Sequence, residues 1–121
     1  MAEKKNAKQY DLEERTFQFA RRVRNFVKKS PKTQANIEDS VQLVNASGSV
    51  GTNYIEANEA ISKKDFAYRI KICRKESKES KYWLKLVDTN YDSPMEQEQT
   101  ELINEATELM KIFGSIMRKS E

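Results

Sequence analysis

Nine residues, 45–53, reading NASGSVGTN, constrain the fold of this chain more than any other stretch. Two glycines, two serines and two asparagines read as a loop, even one that cradles a phosphate, unless the surrounding spacing contradicts it. It does. Steps of four and three from Ile37 pass through Val41, Val44, Gly48, Gly51, Ile55 and Asn58 without losing phase. A second track of the same period runs through Leu43, Ser47, Val50, Tyr54, Ala57 and Ile61. A loop would break this phase, and a phosphate loop would also need a preceding strand and a Gly-Lys-Ser/Thr, neither of which the sequence offers. The stretch is therefore helical. Glycine inside a helix costs about 0.5–1 kcal/mol relative to alanine, so two of them point to another backbone lying close. The first track, with both glycines on it, is expected to be the packing seam. Gly48, Gly51, Val50 and Tyr54 are the expected contact residues between helices or between copies of the chain. Two apolar tracks leave two readings open: a central helix with a wide buried face, or a helix that also forms a subunit interface.

The rest of the chain follows the same period. Punctuation predicts helices over about 11–29, 33–60, 63–88 and 93–119, after a flexible N-terminus of residues 1–10. The start signals are Asp11 with Glu14, Thr33, Ser62 with Asp65, and Ser93-Pro94 with Glu96. The expected inner lines are Thr16, Ala20, Val23 and Val27 in the first helix, flanked by Phe19 and Phe26. The third helix contributes Phe66, Ile70, Cys73, Ser77, Ser80, Leu84 and Val87, and the fourth Leu102, Ala106, Leu109, Phe113 and Ile116. Short connections between four amphipathic helices predict one all-α domain, an up-down-up-down four-helix bundle.

Chemistry is restricted by what is missing. The chain has no histidine, which removes the usual general base, most zinc sites and the di-iron ligand sets of helical bundles. The single cysteine, Cys73, excludes an internal disulfide, suits a reducing compartment and falls on an apolar seam, where a nucleophile is not expected. No segment approaches the length of a membrane span, and the first residues lack the apolar run of a signal peptide, so a cytoplasmic protein without a membrane partner is expected. One enzymatic alternative stands. Glu56 with Glu59 and Glu76 with Glu79 form two Glu-x-x-Glu pairs that antiparallel helices could bring around Mg²⁺, as in all-helical nucleotide pyrophosphohydrolases. In those enzymes an aspartate closes the second pair, where this chain has Glu79. The preferred reading is non-enzymatic, with no cofactor and no metal.

Charge alternates by helix. Residues 1–32 carry ten Lys/Arg against four Asp/Glu, residues 33–62 none against four, residues 63–90 nine against four and residues 91–121 three against seven. In an up-down-up-down order every neighbouring pair is opposite in sign, which disfavours wrong neighbours. Two basic strips are candidates for phosphate contact: Arg21, Arg22, Arg24, Lys28 and Lys29 on the first helix, and Arg69, Lys71, Arg74, Lys75 and Lys78 on the third. Few aromatics interleave with these residues, so base stacking is expected to be minor.

YDLEERTFQFARRVRNFV at the start and SGSVGTNYIEANEAISKKDFAYRIKICRKESKESKYWLKL across the second and third helices resemble a bacterial family of four-helix-bundle proteins. That family is encoded within intervening sequences of 23S ribosomal RNA genes. More distantly, the chain is similar to the accessory bundle proteins of diversity-generating retroelements, which bind nucleic acid and a reverse transcriptase. The resemblance implies an up-down-up-down bundle and a homopentamer, and it offers no established catalytic residues to carry over. The expected partners are other copies of the chain and RNA, DNA or a nucleic-acid-processing protein; a helical protein–protein adaptor is the alternative.

Overall fold

A computed structural model describes residues 11–120, so the expected flexible segment 1–10 lies outside the described residues. Four helices follow one another: α1 (Leu12–Lys29), α2 (Gln34–Asn58), α3 (Lys63–Leu86) and α4 (Ser93–Lys119). Each packs on its chain neighbours, and α1 also packs on α4, which closes a four-helix bundle. NASGSVGTN is helical throughout, in the middle of α2.

Capping explains most of the boundaries. Thr33 Oγ1 accepts from the Asn36 backbone N–H at 3.1 Å, and Ser62 Oγ accepts from that of Asp65 at 3.0 Å. Two expected caps are corrected. Asp11 makes no side-chain cap bond to α1. The cap of α4 is Asp92 rather than Ser93: its carboxylate accepts from Met95 N–H at 2.9 Å, and Pro94 follows within the first turn. A carboxylate one position earlier reaches the same orphan donors and suits the positive end of the helix dipole.

The interior is built on Phe19, Val23, Leu43, Val50, Ile70, Leu84, Leu102, Leu109 and Phe113, all essentially excluded from solvent. Each such side chain contributes about 1.5–3 kcal/mol through removal of its apolar surface from water. The lines expected for α3 and α4 are the buried ones, with Phe66 and Ile116 half-buried at their ends. In α1 the buried line is Leu12, Thr16, Phe19, Val23 and Phe26, with Ala20 and Val27 half-buried beside it.

In α2 the two tracks exchange roles. The expected seam is the outer one: Ile37 is 52% exposed, Val41 55% and Ile55 48%. The inner line is Asn36, Ser40, Leu43, Ser47, Val50 and Ala57. Hydropathy points the wrong way here because the inner positions are small or polar and are satisfied inside the chain. Asn36 is the clearest case. Its Nδ2 donates to Pro31 O at 2.9 Å and to Asp88 O at 2.8 Å, and its Oδ1 accepts from Asp88 N–H at 3.0 Å. One buried amide thus ties the α1–α2 and α3–α4 connections together. Thr16, Ser77 and Ser80 likewise donate to carbonyls one turn back in their own helices, at 2.7–2.8 Å.

Candidate nucleic-acid interface

Directly opposite the buried line of α3 lies a second line with the same steps of four and three: Lys64, Tyr68, Lys71, Lys75, Lys78, Tyr82 and Lys85. All seven are exposed. At about 1.5 Å per residue the strip is roughly 30 Å long. Among the described residues its one ion pair is Lys75 Nζ to Glu76 Oε2, at a loose 3.8 Å. Glu76 is half-buried at the edge of the strip. Desolvation first, then the neighbouring Glu79 charge, raise the pKa of its carboxyl, against the pull of Lys75.

Both tyrosines are held in place by the next residue in the chain. The Arg69 guanidinium lies 5.7 Å from the centre of the Tyr68 ring, and its Nη1 donates to Asn53 Oδ1 on α2 at 3.0 Å. Tyr82 meets Trp83 edge-on, with ring centres 5.0 Å apart, and Trp83 packs against the core. The rings nevertheless stay 59% and 58% exposed. The expectation that few aromatics interleave with the basic residues is therefore corrected. Stepping three or four positions outward from Lys71 and Lys78 finds both tyrosines, and with them Lys64 and Lys85.

The basic residues of α1 are arranged differently. Arg15 forms a two-pronged pair with Glu105 of α4 at 2.7 and 2.9 Å. Arg22 does the same with Glu98 at 3.2 and 2.9 Å and reaches Glu101 at 3.1 Å. These carboxylates raise the pKa of both guanidinium groups. Arg21 lies over the Phe17 ring at 5.8 Å, and Arg24 donates to Ala20 O at 3.1 Å. Lys28 and Lys29 sit in the last turn, where they complement the helix dipole. On α3, Arg69 is braced against α2, and Arg74 lies across Gly114 of α4, where an added Cβ would be 3.4 Å from its Nε. The ten basic candidates therefore do not form one surface.

A third surface lies between α1 and α2. Phe17, Ala20, Gly48, Gly51 and Ile55 line a shallow apolar groove rimmed by Arg21 and Arg24. At Gly51 α1 lies close: a Cβ there would sit 3.1 Å from Thr16 Oγ1. At Gly48 the nearest neighbour would be the flexible end of Arg24, at 3.4 Å. Val50 is wholly buried within the single chain, and its carbonyl accepts from the Cys73 thiol at 3.4 Å. Tyr54 is half-buried and tilts against Phe113 at 5.8 Å. Burial raises the pKa of its hydroxyl, against a hydrogen bond to Asn58. These two residues thus pack helices within the chain.

Among the described residues no group of three or more His, Cys, Asp or Glu side chains could hold a metal ion. The two Glu-x-x-Glu pairs are not brought together. Burial also pushes the Cys73 thiol up to about 12, which keeps it protonated and unreactive near neutral pH. No described helix is long and apolar enough to cross a membrane.

A protein-family model described as "23S rRNA-intervening sequence protein" matches residues 8–115. Among solved structures, the chain is similar to a Bacteroides thetaiotaomicron protein described as being of unknown function and from the S23 ribosomal protein family. The two are 28% identical with a TM-score of 0.77, over 90% of this chain and 96% of the other. No curated protein matches the chain.

Proposed function

The chain belongs to the 23S rRNA-intervening sequence protein family, and from that premise we propose that it is a non-enzymatic helical scaffold that assembles with copies of itself and holds nucleic acid. The observation that carries the reading is the strip of five lysines on α3. It points away from the core and, among the described residues, is almost without acidic partners. Such a strip matches a line of phosphates, and it carries no groove-reading motif, so sequence preference is weak.

Self-association is supported by the outer track of α2. Ile37, Val41, Val44, Gly48 and Ile55 form an apolar line on that helix, and Phe17 of α1 lies beside its end. Contiguous apolar surface of this kind favours a protein partner, and a second copy is the partner the family resemblance implies, in a ring of five. Repetition around an axis multiplies a lysine strip that would bind weakly alone.

Two measurements test the reading. Sedimentation is expected to show one species of five times the 14.1 kDa of a single chain. Anisotropy titrations with a labelled oligonucleotide are expected to show binding that weakens by about 0.7–0.9 log units per log unit of salt for each phosphate neutralised. A stable monomer overturns the assembly, and absence of binding at low salt leaves a protein–protein adaptor instead.

A further inference from the structure

We propose that the outer face of α3 is a platform for single-stranded nucleic acid, on which Tyr68 and Tyr82 stack unpaired bases while Lys71, Lys75 and Lys78 between them hold phosphates. The inference rests on the nucleic-acid reading above and adds the strand state of the ligand.

An exposed tyrosine is common and by itself means little. Here two of them share one line with five lysines, at steps that keep every side chain on the same helix face. They are fourteen positions apart, about 21 Å along the axis, with the three lysines in the interval. Neither ring hangs loose. Tyr68 is backed by Arg69, itself bonded to Asn53, and Tyr82 is backed by Trp83, itself packed on the core. Rings fixed before binding lose little freedom when a base arrives, so their contact area converts more fully into affinity. Both keep more than half their surface in water.

The occupant follows from the charge and the rings together. Five lysines select a polyanion. Four acidic residues, Asp65, Glu76, Glu79 and Asp88, lie near the strip, and among the described residues only Glu76, half-buried, comes within ion-pair reach of one of the five, at 3.8 Å. Lysines alone would accept a duplex as readily, since a duplex presents phosphates too. The rings break that tie, because paired bases are covered by their neighbours, whereas every unpaired base offers an open face. Stacking of this sort tolerates any base, which agrees with the absence of a groove-reading motif.

The test compares a labelled 20-nucleotide oligo(dT) with a 20-base-pair duplex and with a 20-unit abasic strand, using the full chain at one salt concentration. The single strand is expected to bind at least ten-fold tighter than the duplex, and the abasic strand to lose most of that advantage. Tyr68→Leu and Tyr82→Leu are each expected to weaken oligo(dT) binding about 5-fold or more. Their salt slope should stay the same, because a tyrosine neutralises no phosphate. Tyr68→Phe and Tyr82→Phe keep the ring and are expected to restore binding, which separates stacking from folding. Equal affinity for single strand, duplex and abasic strand overturns the platform and leaves the phosphate-binding reading intact. Loss of binding in Lys71→Glu with Lys78→Glu, but not in the leucine variants, does the same. Failure to bind any of the three probes, or retention only on phosphatidylglycerol vesicles, overturns both readings.

Discussion

α1 and α3 are the two basic helices of this bundle, and they use their charge in opposite ways. On α1 the guanidinium groups of Arg15 and Arg22 reach sideways into the acidic edge of α4 and form two-pronged pairs. On α3 the lysines of the outer line point away from the core, with one loose pair at 3.8 Å among the described residues. The residue types suit the tasks. The planar fork of arginine matches a carboxylate and holds a helix in register, whereas lysine is a flexible point charge that remains hydrated until an anion comes. Similar charge per helix therefore does not mean similar function. On α1 two of the arginines tie the helix to its neighbour; on α3 the lysines are exposed, and the proposed reading gives them to a ligand.

Reversing charge on each helix tests this contrast most severely. Lys71→Glu with Lys78→Glu is expected to abolish most oligonucleotide binding and to lower the salt slope by about 2, one for each lost phosphate contact. Arg21→Glu with Lys28→Glu on α1 is expected to change the slope by less than about 1. Equal losses from both pairs, in variants with unchanged melting, would show that α1 shares the ligand.

The buried line of α3 anchors it to the core, and Cys73 reports on that face. Its thiol is neutral when protonated, and burial raises its folded pKa from 9.0 to about 12. The folded state thus holds the proton more tightly than the unfolded state. This stability is fully present below pH 9 and is lost as pH climbs toward 12. By pH 11 the loss is expected to reach about 2–3 kcal/mol, read as a steeper fall in urea-unfolding free energy than that of Cys73→Ala. Parallel curves for the two proteins would place the thiol in water.

Stability offers the smallest effects. Arg15→Ala is expected to cost up to about 1 kcal/mol, since its pair with Glu105 is only partly exposed and well aligned. Lys75→Ala should change stability by less than about 0.5 kcal/mol, because an exposed lysine held loosely at 3.8 Å contributes little. Urea titration of the two variants decides it; a larger loss from Lys75→Ala would reverse the assignment of roles.

Much of this architecture can be read in the chain alone. The period through NASGSVGTN identifies a helix where composition points to a loop, because a heptad phase survives only if the backbone keeps turning at one rate. The inner lines of α3 and α4 follow from the same count, as do the caps Thr33 and Ser62. The sequence also holds the step pattern that aligns Tyr68 and Tyr82 with the lysines, although a search for charge alone passes over it. Rotation and adjacency of the helices come only with packing. On α2 the inward track carries Asn36, Ser40 and Ser47 while Ile37, Val41 and Ile55 face out, because hydrogen bonds available only in the folded chain satisfy the polar groups. Which arginines are held in ion pairs likewise depends on how α1 turns toward α4. Periodicity fixes the angle between residues of one helix. The angle between that helix and its neighbours is set by packing, which a single strand of letters does not contain.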